Sequence, residues 1–293
     1  MNKYFFYLLV FPILLCVFCK SICSGQETPF CWKVLSKESK TPSYIFGTIH
    51  HLGYKPIFNN KQLLSLILES KFIVLEIDTI EVKKKYFPTK TSSTGIDNLI
   101  SAADYHTVSI AYLKYTGKDL KADKYQKPTA ISSAIRNGKE SLEPHITQME
   151  AAFYTICKDK NIPIKGLETH AFRDSIFSSF SPEEEAKMMM HEINQLLGGK
   201  IADEYKACFE KNDLNCVCAI NDMAHYAQAG DSTIVLKRNL FWINSIQNYI
   251  HEGNAFIAVG AAHLCGDYGI LALLRKAGYT ILPIPLAGNR ISR

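Results

Sequence analysis

AFIAVGAAHL, residues 255–264, decides how this chain folds. Its first five positions are all apolar, so neither face of the run alternates with polar residues. That is the pattern of a strand buried on both faces, as in the interior of a parallel sheet. The run then meets Gly260 and, three residues on, His263. YIFGTIH at 44–50 repeats the arrangement with Gly47 and His50, and a second histidine, His51, stands directly behind. A strand that only fills a core has no need of a glycine and an imidazole at its carboxyl end. Glycine there lets the backbone bend and a ligand come close.

Working outward, further strand-like runs lie at 31–36 (CWKVLS), 72–77 (FIVLEI), 163–167 (PIKGL) and 279–284 (YTILPI). Helical patterns at 60–70 and 267–277 link strands as βαβ units. The expected fold class is α/β, a mainly parallel central sheet flanked by helices, with large helical insertions at about 97–160 and 172–250. SPEE at 181–184 is a helix start, with Ser181 as cap, Pro182 in the first turn and Glu184 closing a capping box. MMMHEIN follows it, but Gln195 stands where an HExxH zinc motif needs its second histidine. The methionines therefore read as helix packing.

The strand ends collect the polar residues. His50 follows the second strand, Glu76 and Asp78 end the third, Glu168 ends the middle one, and His263 follows the fifth. In a parallel sheet all these carboxyl ends share one edge, where ligands bind. Two imidazoles and two carboxylates offer either a metal site of N/O type or a set of acid and base groups. No GxSxG elbow and no P-loop occurs.

Residues 1–25 have the layout of a secretory signal peptide: Lys3, an apolar stretch from Tyr4 to Phe18, then SICSG. The apolar stretch is short against the roughly 20 residues of a spanning helix. Cleavage before Gln26 is expected, leaving residues 26–293 as one α/β domain that is secreted or periplasmic. Removing Lys3 and Lys20 lowers the net charge from +5 to +3, and the basic residues are scattered, so nucleic acid is not indicated. Nine cysteines become six: Cys31, Cys157, Cys208, Cys216, Cys218 and Cys265. Export favours disulfides, with a local bridge from Cys208 to Cys216 or Cys218.

GTIH (47–50), VLEID (74–78), SLEPHI (141–146), IKGLET (164–169), RNLFW (238–242) and VGAAHL (259–264), in that order, resemble the TraB/GumN family, whose animal members are the Tiki proteases. The resemblance implies a fold like that of erythromycin esterase and the ChaN proteins, and a metal-dependent peptidase activity. It makes His50 and His263 the paired Gly-x-x-His histidines and Glu76 their acidic partner. Arg238 matches the basic residue of an Arg-Asn motif. Glu143 stands at an acidic position of the family, although Pro144-His145 behind it departs from the pattern.

The expected chemistry is hydrolysis of an amide bond in a peptide or protein. A divalent metal ion (Mn2+, Co2+ or Zn2+) on His50, Glu76 and His263 would lower the pKa of a water from ~16 towards ~7. Glu168 or Glu143 would accept that water's proton, and Arg238 would stabilise the oxyanion. Two alternatives stay open: metal-independent ester hydrolysis with a histidine activating water, and a non-catalytic periplasmic module binding haem or metal.

Overall fold

The computed structural model describes residues 28–53, 55–77, 91–142, 149–177, 179–198, 200–223 and 231–286. The expected signal peptide, Asp78 and Glu143 lie outside the described residues, as does the side chain of His51. All six strands anticipated from the sequence form: β1 (Cys31–Leu35), β2 (Ser43–Thr48), β3 (Phe72–Ile77), β4 (Ile164–Glu168), β5 (Ala255–Gly260) and β6 (Thr280–Ile284). They make one sheet in the order β4-β3-β5-β2-β1-β6.

β4, β3, β5 and β2 run parallel, as their two-sided apolar character requires. Every position of β5 is buried, and it lies between β3 and β2. β1 departs from the parallel expectation, being antiparallel to both β2 and β6. Its reason is visible in the side chains. Lys33 and Leu35 are less buried than their neighbours, and β6 is partly exposed along its length, so this flank is half-solvated rather than sandwiched. The last pair of strands, linked through the Ile270–Lys276 helix, are accordingly not neighbours: β2 and β1 stand between β5 and β6.

Register brings the two Gly-x-x-His segments together. Gly47 pairs with Val259 and Thr48 with Gly260, so the two motifs leave the sheet side by side, one residue out of step. Gly47 is required by close packing: a Cβ there would stand 3.2 Å from Ala261 Cα and 3.1 Å from Leu264 Cδ1. A side chain there would have to push the turn after β5 away from β2 by a few tenths of an ångström.

Helices cover the sheet. The Glu150–Lys160 helix buries Ala152, Phe153 and Ile156, with the Phe153 ring centroid 6.4 Å from that of Phe46 and 5.8 Å from that of Phe256. The Asp231–Glu252 helix buries Trp242, Ile246 and Ile250, four residues apart, which places Arg238 one turn earlier on the same stripe. The two expected insertions do not stay separate. Val108, Tyr112, Ile131 and Ile135 from the first join Met189 and Ile193 from the second in a core of their own. Met188 and Met189 are buried, as packing residues should be, and the Ser181–Glu184 capping box forms. Among the described residues no helix is long and apolar enough to cross a membrane.

Cys208 bonds to Cys216, within the expected local group, and Cys218 bonds to Cys265, a partner the sequence did not suggest. Cys31 and Cys157 are buried free thiols, so the six cysteines among the described residues are not all paired.

Candidate active site at the carboxyl edge of the sheet

The carboxyl ends of β4, β3, β5 and β2 present, in spatial order, Glu168, Glu76, Gly260 with the His263 turn, and His50. Arg238 reaches this edge from its helix and binds most of it. Its Nε donates to both oxygens of Glu168 at 3.1 Å, and its Nη2 donates to Glu168 Oε1 at 2.7 Å and Glu76 Oε2 at 2.6 Å. Nη1 lies 3.2 Å from His263 Nε2. Trp242, one turn on, donates its indole N–H to Glu168 Oε2 at 2.8 Å and lies under the guanidinium, 4.4 Å from its ring. The Glu168 side chain is wholly enclosed and Arg238 is 8% exposed. A guanidinium suits this place because its planar fork can serve two carboxylates at once.

Each histidine is oriented through its Nδ1. Asn239 donates its amide Nδ2–H to the backbone oxygens of His263 and Tyr268, at 3.1 and 2.9 Å. The amide oxygen must therefore accept, and it does so from His263 Nδ1 at 2.7 Å. That fixes the proton on Nδ1 and leaves a lone pair on Nε2, which accepts from Arg238. His50 Nδ1 lies 2.8 Å from Glu150 Oε1, and the Thr48 hydroxyl donates to that same oxygen. Glu150 opens the helix that Phe153 anchors, and Met149 N–H bonds to the His50 carbonyl at 3.2 Å. The second Glu150 oxygen, Oε2, is buried without a hydrogen-bond partner.

Gly260 marks where these groups converge. Its N–H donates to Glu76 Oε1 at 2.8 Å. A Cβ on it would stand 3.3 Å from Glu76 Oε1 and 3.6 Å from both His263 Cδ2 and His50 Nε2. Groups from β3, β5 and β2 thus face one small space that only a glycine leaves open. The two glycines of the repeated motif do different work: Gly47 admits a backbone, and Gly260 leaves space between side chains.

Ionisation follows from the neighbours. Burial alone would raise the Glu76 carboxyl, but Arg238, then His263, His50 and the Gly260 N–H outweigh it and hold it well below the usual range. Burial pushes His263 down to about 3, with Glu76 opposing and Arg238 and His50 assisting, so this imidazole is neutral. The Glu150 carboxylate pushes His50 up to about 9 against burial. Just over half of that side chain (55%) is open to solvent, which moderates the coupling. Burial raises Glu168 despite its bonds to Arg238.

Of the six residues named from sequence, five meet here: His50, Glu76, Glu168, Arg238 and His263. Glu143 lies outside the described residues. Asn239 and Trp242 were within reach of sequence reasoning, since both belong to RNLFW beside Arg238. Nothing in the sequence marked Glu150, which approaches His50 from 100 positions away. Among the described residues, no three His, Cys, Asp or Glu side chains stand as a ready metal-ligand group; Glu76 Oε2 and His263 Nε2 are bonded to Arg238 instead.

A family model described as the TraB/PrgY/gumN family matches residues 30–283, nearly the whole described fold, and the chain belongs to that family. No curated protein and no solved structure matches it.

Proposed function

We propose that this TraB/PrgY/gumN-family chain is a hydrolase of amide bonds in a peptide or protein, using a divalent cation (Mn2+, Co2+ or Zn2+) held by His50, Glu76 and His263. One observation carries the reading. Two imidazoles, each fixed through Nδ1 by an acceptor, turn toward one space beside a carboxylate, which is how metal-binding histidines are held. The donor types and one spacing suit a cation, which would have to take His263 Nε2 from Arg238 Nη1, 3.2 Å away. His263 Nε2 and Glu76 Oε1 are 3.9 Å apart, within the ~4.2 Å that two ligands at ~2.1 Å from one ion can span. When bound, such an ion lowers the pKa of a water from ~16 towards ~7.

The chain's own residues supply the rest. Asn239 and Glu150 keep the rings in register. Arg238 presents positive charge, and the one Nη1 N–H not bonded to Glu76, Glu168 or His263, to a developing oxyanion. Both oxygens of Glu168 already accept from Arg238 and Trp242, so its part is to hold Arg238. Of the two carboxylates expected as proton acceptor this favours Glu143, which lies outside the described residues. The two disulfides support an oxidising, secreted or periplasmic location. An N-terminus found near Gln26 on exported protein checks that location.

A second reading, metal-independent ester hydrolysis, is favoured by the solvent-facing His50–Glu150 pair, which could activate water directly once His50 has lost its proton. This activity would therefore rise with pH towards about 9. Chelator-treated protein separates the readings. Peptide cleavage restored by Mn2+, Co2+ or Zn2+, and lost by at least about 100-fold in His50→Ala or His263→Ala, is the expected result. Ester cleavage that persists in chelator would transfer the assignment to the second reading. Metal or haem binding without turnover would mark a non-catalytic module.

A further inference from the structure

The turn that carries His263 is anchored at both ends. At one end it continues β5, buried at every position. At the other, Cys265 is bonded to Cys218 of the Leu214–Met223 helix, with Cα atoms 5.5 Å apart. His263 thus sits two residues from a cross-link to the helical insertion. The second disulfide, Cys208–Cys216, ties the Lys200–Glu210 helix to that same Leu214–Met223 helix and attaches to no site residue.

The two bonds differ in surroundings. Cys208 is 1% exposed and its partner Cys216 is half-buried, and neither lines the cleft beside the His263 turn. Cys218 and Cys265 are half-buried and line a cleft of about 350 Å³ together with Trp32, Leu264 and Arg275. The Arg275 guanidinium lies 5.4 Å over the Trp32 ring, so the cleft holds a positive charge that favours an incoming or departing thiolate. Cys31 and Cys157 do not compete as internal attackers. Both are buried, and burial pushes their thiols up to about 12 and about 11.

We propose that Cys218–Cys265 is a reducible clamp on the His263 turn, opened through this cleft by an external dithiol. A thiolate of the dithiol attacks one sulfur, breaking Cys218–Cys265 and forming a mixed disulfide. The dithiol's second sulfur then displaces the protein sulfur. Two electrons and two protons pass from the dithiol, which leaves as a disulfide, to the two cysteines. The turn then keeps its continuation from β5 and the His263 bonds to Asn239 and Arg238, but loses its covalent tie to the helical insertion. A displacement of ~1 Å at such a residue costs on the order of 100-fold in rate. The proposal rests on His263 being a site residue.

The test is a dithiothreitol titration of the oxidised, exported protein, with alkylation mapped by mass spectrometry and amide exchange read at residues 260–265. Cys218 and Cys265 should be labelled while Cys208–Cys216 stays closed, and exchange at 260–265 should rise by at least about tenfold. Cys218→Ser/Cys265→Ser should reproduce the faster exchange and Cys208→Ser/Cys216→Ser should not. If the first pair fails to fold, the partially reduced wild type, with unchanged far-UV circular dichroism, gives the reading. Opening of Cys208–Cys216 first, or unchanged exchange once Cys218–Cys265 opens, would overturn the clamp. Hydrolysis assayed in parallel should fall at least about tenfold. A lack of hydrolysis in the oxidised protein would count against the amide-hydrolase reading alone, because exchange decides the clamp independently.

Discussion

Arg238→Met keeps the side-chain length and removes the charge that organises the site. In the native protein the guanidinium is bonded to both oxygens of Glu168, to Glu76 and to His263. Methionine satisfies none of them, leaving two carboxylates at a buried strand edge without a cation. Breaking a buried pair by removing one partner costs roughly 3–5 kcal/mol, a large share of the 5–15 kcal/mol typical of a folded protein. The loss should depend on pH, and its sign follows from Glu76. Its folded pKa is depressed, so its contribution is present above the unfolded value near 4.5 and is lost as pH falls through the folded value. In the variant the largest of the opposing charges is gone, leaving only His50, His263 and the Gly260 N–H against burial. The Glu76 pKa thus rises, and protonation towards pH 4 relieves strain that the wild type does not carry. The wild-type advantage should therefore be widest near pH 7 and shrink towards pH 4. Urea denaturation of both proteins at several pH values measures it. Arg238→Lys should recover only part, because an ammonium lacks the planar fork. A loss under about 1 kcal/mol at pH 7, or one unchanged at pH 4, would refute the hub role assigned to Arg238.

Gly260→Ala and Gly47→Ala should behave in opposite ways. Gly260 has a φ of −52°, which alanine adopts freely, so its stability should change by less than about 1 kcal/mol while divalent-cation binding, followed by calorimetry, weakens at least about tenfold. Gly47→Ala presses a methyl on the Ala261 backbone and should destabilise by about 1–3 kcal/mol in thermal melts. Thiol titration at pH 8 should find Cys31 and Cys157 silent in the folded protein and reactive after non-reducing denaturation. Because their folded pKa values are raised, stability should also decline as pH rises past about 9, where only the unfolded thiols ionise.

What the sequence determined by itself was local. Strands that are apolar on both faces announce a buried sheet because side-chain periodicity is a property of the segment alone, and all six formed. Ser181 and Glu184 announce a helix start because a capping box needs four consecutive residues. The doubled Gly-x-x-His placed His50 and His263 at strand ends, and a parallel sheet then put those ends on one edge. Tertiary structure decided the rest, because it depends on contacts between distant segments. β5, from the end of the chain, enters between β3 and β2, and this sets Gly260 between Glu76 and His50. β1 turned antiparallel because only solvent on its flank, not its own pattern, separates a hairpin from a buried strand. Glu150 reaches His50 only because Phe153 seats its helix on the sheet, and Cys218 finds Cys265 only because the Leu214–Met223 helix docks beside the His263 turn. Arg238 could be matched to a motif, but its grip on Glu76, Glu168 and His263 required three strands and one helix to bring their ends within about 3 Å of a single guanidinium.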